Sequence, residues 1–407
     1  MRRRICTWIC RAAALCGFAA LVMLNYSDSM RVVRNLPETI YVSEAERLPE
    51  ILSSNGASAV RVDRQQAERM SDVADTLYTF RLLGLVPLKT VQVVRAGETL
   101  LVPGGNVVGI TLHTAGVLVV GLGSVETEDG AQSPASAAGL AGGDVIVSVD
   151  GIAVCSAAHF SELCSDCNGS MRLLVERGEE RRALTIYPVR DRKNGCYRIG
   201  AWVRDSTAGV GTLSFYSQQE GAFAALGHPV SDIDTQSTLT VRDGKLLSAE
   251  IVDVIRGEQG EPGELLGVFS PDGRAIGTIE KNTDFGIFGK LDNTEILSSI
   301  EGIPMAYAYE AHTGKATLLA TVCGSTVEAY ECEISRVNTQ QSPSAKGMIV
   351  TVTDERLLSV TGGIVQGMSG SPILQDGKLI GVVTHVFVND PTKGYCIYAE
   401  WMVQQMR

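Results

Sequence analysis

From Gly200 to Arg407, short apolar runs recur at intervals of about eight to fifteen residues, among them Ala222–Leu226, Ile251–Ile255, Ala316–Val322, Gly347–Val352 and Leu379–Val388. Turn signals separate them: Asp243-Gly244, Pro271-Asp272-Gly273 and Asp376-Gly377. Short runs closed by turn residues predict strands, because a helix needs a longer stretch with apolar positions three and four apart. Long helical periodicity is missing, so this region is expected to be an all-β sandwich or barrel. Upstream, 107–190 has the pattern of a compact unit: an apolar strand Gly116–Gly121, a short helix opening at Pro134 and ending at Gly139, and a strand closing in Asp150-Gly151. A helical stretch Ser156–Cys164 and a hairpin from Met171–Arg177 to Arg182–Pro188 complete it. Residues 27–106 are mixed, with runs such as Ile40-Tyr41-Val42 and Leu82–Val94, and predict a small β-rich domain or stalk.

The first 26 residues differ from the rest. Arg2, Arg3, Arg4 and Arg11 precede an apolar stretch from Ala12 to Leu24. A basic start before such a stretch is the pattern of an export signal or single-pass anchor, and implies that the remaining chain lies on the non-cytoplasmic side. The 407 residues suggest two or three domains. Thirty-five basic residues against 46 acidic ones give a net charge of −11, the wrong sign for an electrostatic nucleic-acid binder. Seven of the ten cysteines lie beyond the anchor, an odd number that fits no disulfide framework. Cys164-Ser165-Asp166-Cys167 has no second pair, so no metal site is expected, and no organic cofactor is implied.

The run Ser133-Pro-Ala-Ser-Ala-Ala-Gly-Leu-Ala-Gly-Gly-Asp-Val-Ile-Val-Ser-Val-Asp-Gly151 resembles a PDZ domain. Such domains accept an extended peptide as an added strand beside their second helix. The resemblance places peptide binding at Gly116, Val117 and Leu118, in the segment Ala115–Gly121, with the helix at Ala158–Cys164.

The chemistry centres on Gly367-Met-Ser-Gly-Ser-Pro372. A serine between glycines presents its hydroxyl on a tight turn, where neighbouring N–H groups converge on an oxyanion. This is similar to the nucleophile loop of chymotrypsin-like serine proteases, with Ser369 in the nucleophile position and the N–H groups of Gly367 and Ser369 as the oxyanion hole; Ser371 is the lesser candidate. Met368 stands where those enzymes carry Asp, so their activation ion pair is not available. A serine hydroxyl needs a general base. His113 and His159 fall in the PDZ-like unit, leaving His228, His312 and His385, of which His228 stands at a strand end before Pro229. For the orienting carboxylate, Asp232, Asp234 and Asp354 are equally placed by the residues alone, while Asp376 is accounted for by its turn.

Several segments occur in the order found in the SpoIVB peptidase family of sporulation stage IV proteins: Ile199-Gly-Ala-Trp-Val-Arg-Asp205, Ala208-Gly-Val-Gly-Thr-Leu213, Ala224-Ala-Leu-Gly-His-Pro-Val-Ser-Asp-Ile-Asp-Thr235, Thr353-Asp354, Thr361–Pro372 and Thr384–Pro391. Pro229 departs from the Gly that commonly follows the histidine there. The resemblance spans nearly the whole chain. It implies a triad of Ser369, His228 and Asp354, and a mainly β fold: membrane anchor (1–26), N-terminal region (27–106), PDZ-like domain (107–190) and chymotrypsin-like barrel peptidase (195–407). It also implies a membrane-tethered endopeptidase between the two membranes of a developing spore. Its substrate there is a membrane-bound regulator of an intramembrane protease, whose release matures a late mother-cell sigma factor. Recognition of chain ends by the PDZ-like unit, its own during self-cleavage or those of the target, follows from the same resemblance, and self-processing is expected between Ser27 and Val107 because that segment is the least structured in appearance. The rival expectations are a membrane-tethered PDZ scaffold that binds without cutting and an envelope quality-control protease.

Overall fold

The computed structural model describes residues 30–406, apart from 31–32, 34–35, 37, 44–59, 67–75, 270–272, 274, 293–300 and the single positions 168, 179, 339 and 341. The expected anchor at 1–26 lies outside the described residues. Among the described ones, no helix is long and apolar enough to cross a membrane.

The N-terminal region forms a four-stranded sheet of β1 (Thr39–Ser43), β2 (Val60–Gln66), β3 (Thr76–Leu82) and β4 (Val86–Ala96), in the order β1-β4-β3-β2. Ile40, Val42, Tyr78, Phe80, Val91 and Val93 make its own small core. After β5 (Leu100–Pro103) comes the 16-residue β6 (Val107–Leu122), whose two halves belong to different units.

The second half of β6 opens the PDZ unit. There follow a small hairpin of β7 (Val125–Thr127) and β8 (Gly130–Gln132), helix α1 (Pro134–Ala137), β9 (Val145–Val149), β10 (Ile152–Ala153) and helix α2 (Ala157–Ser165). The expected hairpin is β11 (Met171–Arg177) with β12 (Glu180–Ile186), followed by β13 (Val189–Arg190) and β14 (Tyr197–Arg198). Alternation builds this layer: Met171, Leu173 and Val175 of β11 face the core while Arg172 is exposed. They meet Val117, Val119, Ile146, Val149 and Phe160 in one buried cluster. Each large apolar side chain so buried contributes about 1.5–3 kcal/mol.

The 17-residue β15 (Ala201–Ser217) then runs back antiparallel to β6 along its length, from Ala201 opposite Leu122 to Thr212 opposite Val107. With β16 (Ala222–Ala225), β17 (Val241–Ser248), β20 (Ala275–Thr283) and β21 (Gly286–Leu291) it completes the first barrel, while β18 (Glu250–Ile255) and β19 (Glu264–Val268) form a separate two-stranded hairpin. The ring closes in the order β6-β17-β20-β21-β16-β15 and back to β6. The PDZ unit is thus inserted between the first barrel strand and the rest, where a barrel beginning at 195 was expected. Asp243-Gly244 is a second difference: it lies inside β17, where Asp243 pairs with His113, and makes no turn.

The short β22 (Ile303–Pro304) pairs with β5. The second barrel consists of β23 (Gly314–Ala320), β24 (Glu328–Val337), β25 (Met348–Val352), β26 (Pro372–Gln375), β27 (Lys378–Phe387) and β28 (Asp390–Tyr398), closed in the order β23-β24-β25-β28-β27-β26. Here Asp376-Gly377 does form the tight turn, both residues having positive φ (51° and 77°), as a two-residue hairpin requires. Helix α3 (Glu355–Thr361) follows β25. Helix α4 (Ala399–Met406) ends the chain, packed on β16 and β21 of the first barrel and β27 and β28 of the second.

Candidate active site

A cleft of about 490 Å³ lies where the two barrels meet, and Ser369, His228 and His385 all line it. The loop Gly367–Ser371 supplies the serine. Its start is braced by the β18–β19 hairpin, for Leu265 N–H donates to Gln366 O (2.9 Å) and Gln366 N–H to Gly263 O (2.8 Å). Gly367 and Gly370 take positive φ (94° and 98°). Met368, Gly370 and Ser371 spend their amides on Val365, Val383 and Met368 carbonyls. The amides of Gly367 and Ser369 have no such partner among the described residues, leaving free the two N–H groups expected for an oxyanion. Ser371 is completely buried and its hydroxyl is unpartnered, which removes it as the nucleophile.

The histidine arrives from the other barrel. After β16, Leu226 and Gly227 both adopt left-handed backbone (φ 71° and 74°) and swing His228 into the cleft. Such a conformation at a branched residue is costly and survives only where the surroundings enforce it. The enforcing contact is Gly370: a Cβ there would fall 2.7 Å from Leu226 N and 2.5 Å from Thr212 O. The serine loop therefore presses its bare backbone onto the strand end that aims the imidazole.

Burial lowers the pKa of His228 below its ordinary 6.5, only partly offset by the Pro229 carbonyl. His228 Nδ1 lies 2.8 Å from that carbonyl. A carbonyl only accepts, so Nδ1 carries the proton and Nε2 keeps the lone pair a general base needs. The ring of His385 lies beside it, centroids 5.1 Å apart and planes tilted by 40°. His385 is likewise held below its ordinary value, by burial, then by His228, then by Lys346. In this state Ser369 Oγ donates to Thr384 O at 2.7 Å, a resting hydrogen bond that must be exchanged before attack.

Asp354, implied as the third triad member, is not brought to this cleft. It caps α3, its Oδ1 accepting from Arg356 N–H (2.9 Å) and its Oδ2 from Glu331 N–H (3.1 Å) and the Arg356 guanidinium (2.8 Å). It lines a separate recess with Tyr330, Glu331 and Arg356. The reason is local: an aspartate directly before a helix satisfies the helix's free amides, and Arg356 two positions on neutralises it. That arginine, chiefly, lowers the Asp354 pKa to about 2. Asp232 and Asp234 are held by Arg204 instead. His312 pairs with Asp376 and His113 with Asp243, each at 2.7 Å. No carboxylate is bonded to either cleft imidazole among the described residues, and no group of three or more potential metal ligands converges there.

The PDZ groove also differs from expectation. Val117 and Leu118 pair with Ile146 and Val145 of β9 on one side, and Leu118 pairs with Arg204 of β15 on the other, so Leu118 is interior to the sheet and offers no free edge. The open groove, about 310 Å³, runs between α2 (Ala157, Phe160, Ser161, Cys164) and the segment Tyr197–Val203. Among the described residues, the edge of β15 turned from β6 is unpaired from Ala201 to Val203, which is where an added strand fits. The helix was correctly read from its spacing. The strand was missed because Ile199–Asp205 lies beyond the stretch of sequence that looks like a PDZ unit. Cys164 faces this groove as a buried thiol pushed up to about 12, chiefly by desolvation, so the C-x-x-C pair lacks a reactive thiolate at neutral pH.

A double barrel with a glycine-cradled serine and a half-buried imidazole of lowered pKa lining one cleft, and a PDZ unit let into its first barrel, defines a PDZ-containing serine peptidase. The sequence profile of the SpoIVB peptidase S55 family matches residues 195–403, just over half the chain, and a PDZ profile matches residues 130–177. The chain belongs to the SpoIVB peptidase family. A search of curated proteins found no match. Among solved structures, the PDZ domain of an SdrC-like protein from Listeria monocytogenes is 24% identical and covers 22% of this chain and 87% of its own, with a TM-score of 0.18. The active form of the Rv3671c protease from M. tuberculosis is 16% identical over 49% of this chain and 73% of its own (TM-score 0.28). The HtrA-type protease AlgW with a decapeptide is 13% identical over 53% and 57% (TM-score 0.27).

Proposed function

We propose that this protein is a serine endopeptidase in which Ser369 is the nucleophile and His228 the general base, acting on a membrane-bound regulatory protein in a sporulation cascade. The observation carrying this reading is the meeting of Ser369, on one barrel, with His228, on the other, in one cleft, beside two amides that have no backbone partner among the described residues. In the reaction, Ser369 Oγ leaves the Thr384 carbonyl and attacks the scissile carbonyl carbon while Nε2 of His228 takes its proton. The Gly367 and Ser369 N–H groups hold the oxyanion as charge develops. His228 then returns the proton to the leaving amine, and a water molecule activated by the same nitrogen releases the acyl group from Ser369. Here Pro229 O fixes the tautomer in place of a carboxylate.

The family resemblance further supports tethering through residues 1–26, with the catalytic region on the non-cytoplasmic face of the forespore membrane. It also supports capture of peptide chain ends by the PDZ unit, its own during self-cleavage or those of the target; the mixed composition of 27–107 makes that segment the proposed place of self-cleavage. The test compares the full chain with Ser369→Ala and His228→Ala by mass spectrometry. Discrete fragments from the wild type are expected, with cleavage lowered about 10⁴–10⁶-fold in either variant. Equal fragmentation in all three would refute the assignment. Intact, folded wild type that binds peptides would favour the PDZ scaffold.

A further inference from the structure

We propose that Arg204 is a positioning residue for His228, tying the peptide-accepting strand of the PDZ unit to the loop that carries the catalytic imidazole. This rests on the reading of His228 as the general base.

The loop between His228 and β17 stands on two posts. One is Asn282 of β20, whose side chain accepts from Val230 N–H (2.9 Å) and donates to the carbonyls of Val230 (2.8 Å) and Leu239 (2.9 Å). The other is Arg204, whose guanidinium forks between Asp232 and Asp234, the latter at 2.9 Å. Asp232 is the keystone of the loop. Its side chain is 1% exposed, and its Oδ1 accepts from the amides of Asp234 and Thr235, both at 3.0 Å. Its own N–H donates to Ser237 O and its carbonyl accepts from Gln236 N–H, closing the turn four residues after His228.

Arg204 does not belong to the barrel half of β15. It pairs opposite Leu118, one residue past Val203 at the groove wall, and the β15–β6 register shifts immediately after it. At that joint Asp205 Oδ2 accepts the N–H of Ala157 (2.9 Å), the first residue of α2 and the opposite groove wall. Both walls of the peptide groove therefore converge on Arg204–Asp205, and beyond the joint the same strand lines the catalytic cleft at Thr207–Gly211. Removing Arg204 leaves the sealed Asp232 carboxylate without its cation, an arrangement a protein relieves by letting the charge reach water. The turn then loosens, and His228 loses the burial that lowers its pKa. Beside that imidazole lies His385 from β27, on which Lys346 also acts; on the loop after His228, Asp232 and Asp234 are both bonded to Arg204.

The test follows the titration of His228 by NMR in the full chain carrying Ser369→Ala, so the readout does not depend on turnover. The His228 resonance is assigned by its loss in His228→Gln. With Arg204→Gln, the midpoint is expected to rise toward 6.5. In the Ser369 background the same change should lower kcat about 10–100-fold, with KM for a short peptide within about twofold. Arg204→Lys restores the charge but not the fork, and should recover part of both effects. Asp234→Asn, at the more exposed arm, should shift the midpoint in the same direction by less, and serves if Arg204→Gln does not fold. A lower melting temperature with unchanged His228 titration and unchanged kcat in the folded variants would overturn the proposal and leave a structural ion pair. A moved titration with no cleavage even in the wild type would retain the tie and refute the peptidase reading.

Discussion

The second barrel is assembled from strands that follow one another between Gly314 and Tyr398, whereas the first takes β6 from one side of the PDZ unit and β15, β16, β17, β20 and β21 from the other. The serine loop belongs to the first kind of construction. Gly367, Ser369, Gly370 and Pro372 are neighbours in the chain, and the hairpin Pro372–Phe387 that braces them follows at once. The histidine belongs to the second. Its orientation depends on two left-handed residues, on Gly370 from the other barrel and on Arg204 from the PDZ half of a shared strand. A nucleophile can be built locally, but a general base positioned across two units needs contacts that no single segment holds.

The largest effect expected from breaking this contrast is at Gly370. Gly370→Ala puts a methyl group into Thr212 O and Leu226 N at a backbone angle that L-residues avoid, and should cost about 3 kcal/mol or more. Because the clash lands on the strand end aiming His228, kcat should fall at least about 100-fold. Gly377→Ala is the control within a single hairpin: φ is also positive (77°) but no atom lies within 4 Å, so a loss of about 1 kcal/mol with unchanged turnover is expected. Denaturant titrations and initial rates on both variants check this, and equal losses would deny the interlock between barrels.

Asp354→Asn sharpens the comparison from the side of the second barrel. The folded-state pKa of Asp354 lies below its unfolded value, so its ionisation contributes stability above about pH 4 that is lost as pH falls through about 2. Asparagine preserves the helix cap and removes that charge. The acid unfolding curve should flatten across this window, while kcat at neutral pH stays within a fewfold of wild type. A loss of kcat as deep as that of His228→Ala, with the fold intact, would mean that the working enzyme moves Asp354 to His228.

The smallest effect is expected at Glu400, on the helix that clamps both barrels. Burial raises its pKa to about 7, and its Oε2 accepts the Ala308 amide at 2.9 Å. The unfolded chain releases this proton near pH 4.5 and the folded chain near 7, so its contribution to stability declines as pH rises between those values. Glu400→Gln should remove that slope in thermal melts from pH 4.5 to 7 and leave kcat unchanged. An unaltered slope would show that the carboxylate ionises normally.

Much of this arrangement was legible in the chain. Alternation in β11 and turn chemistry at Asp376-Gly377 depend on neighbours, so those elements stand where the pattern places them. The Asp243-Gly244 pair failed as a turn because cross-strand pairing on both sides of β17 outweighs a two-residue preference. Leu118 failed as a peptide edge for a related reason: one segment does not reveal which of its edges a distant strand will cover. Sequence also nominated Asp354 through its resemblance, while its position directly before a helix, with Arg356 at hand, commits it to a cap and an ion pair.

The sequence alone determined the class of the protein: short strands closed by turns, a PDZ-like run, and a serine loop whose glycines are neighbours in the chain. Tertiary structure alone decided that the PDZ unit interrupts the first barrel, that His385 lies beside His228, and that Arg204 holds the histidine loop. Each of these arises where strands far apart in the chain share hydrogen bonds or bury charge together. Backbone preference acts over a few residues, and only the closed barrels bring such partners within reach.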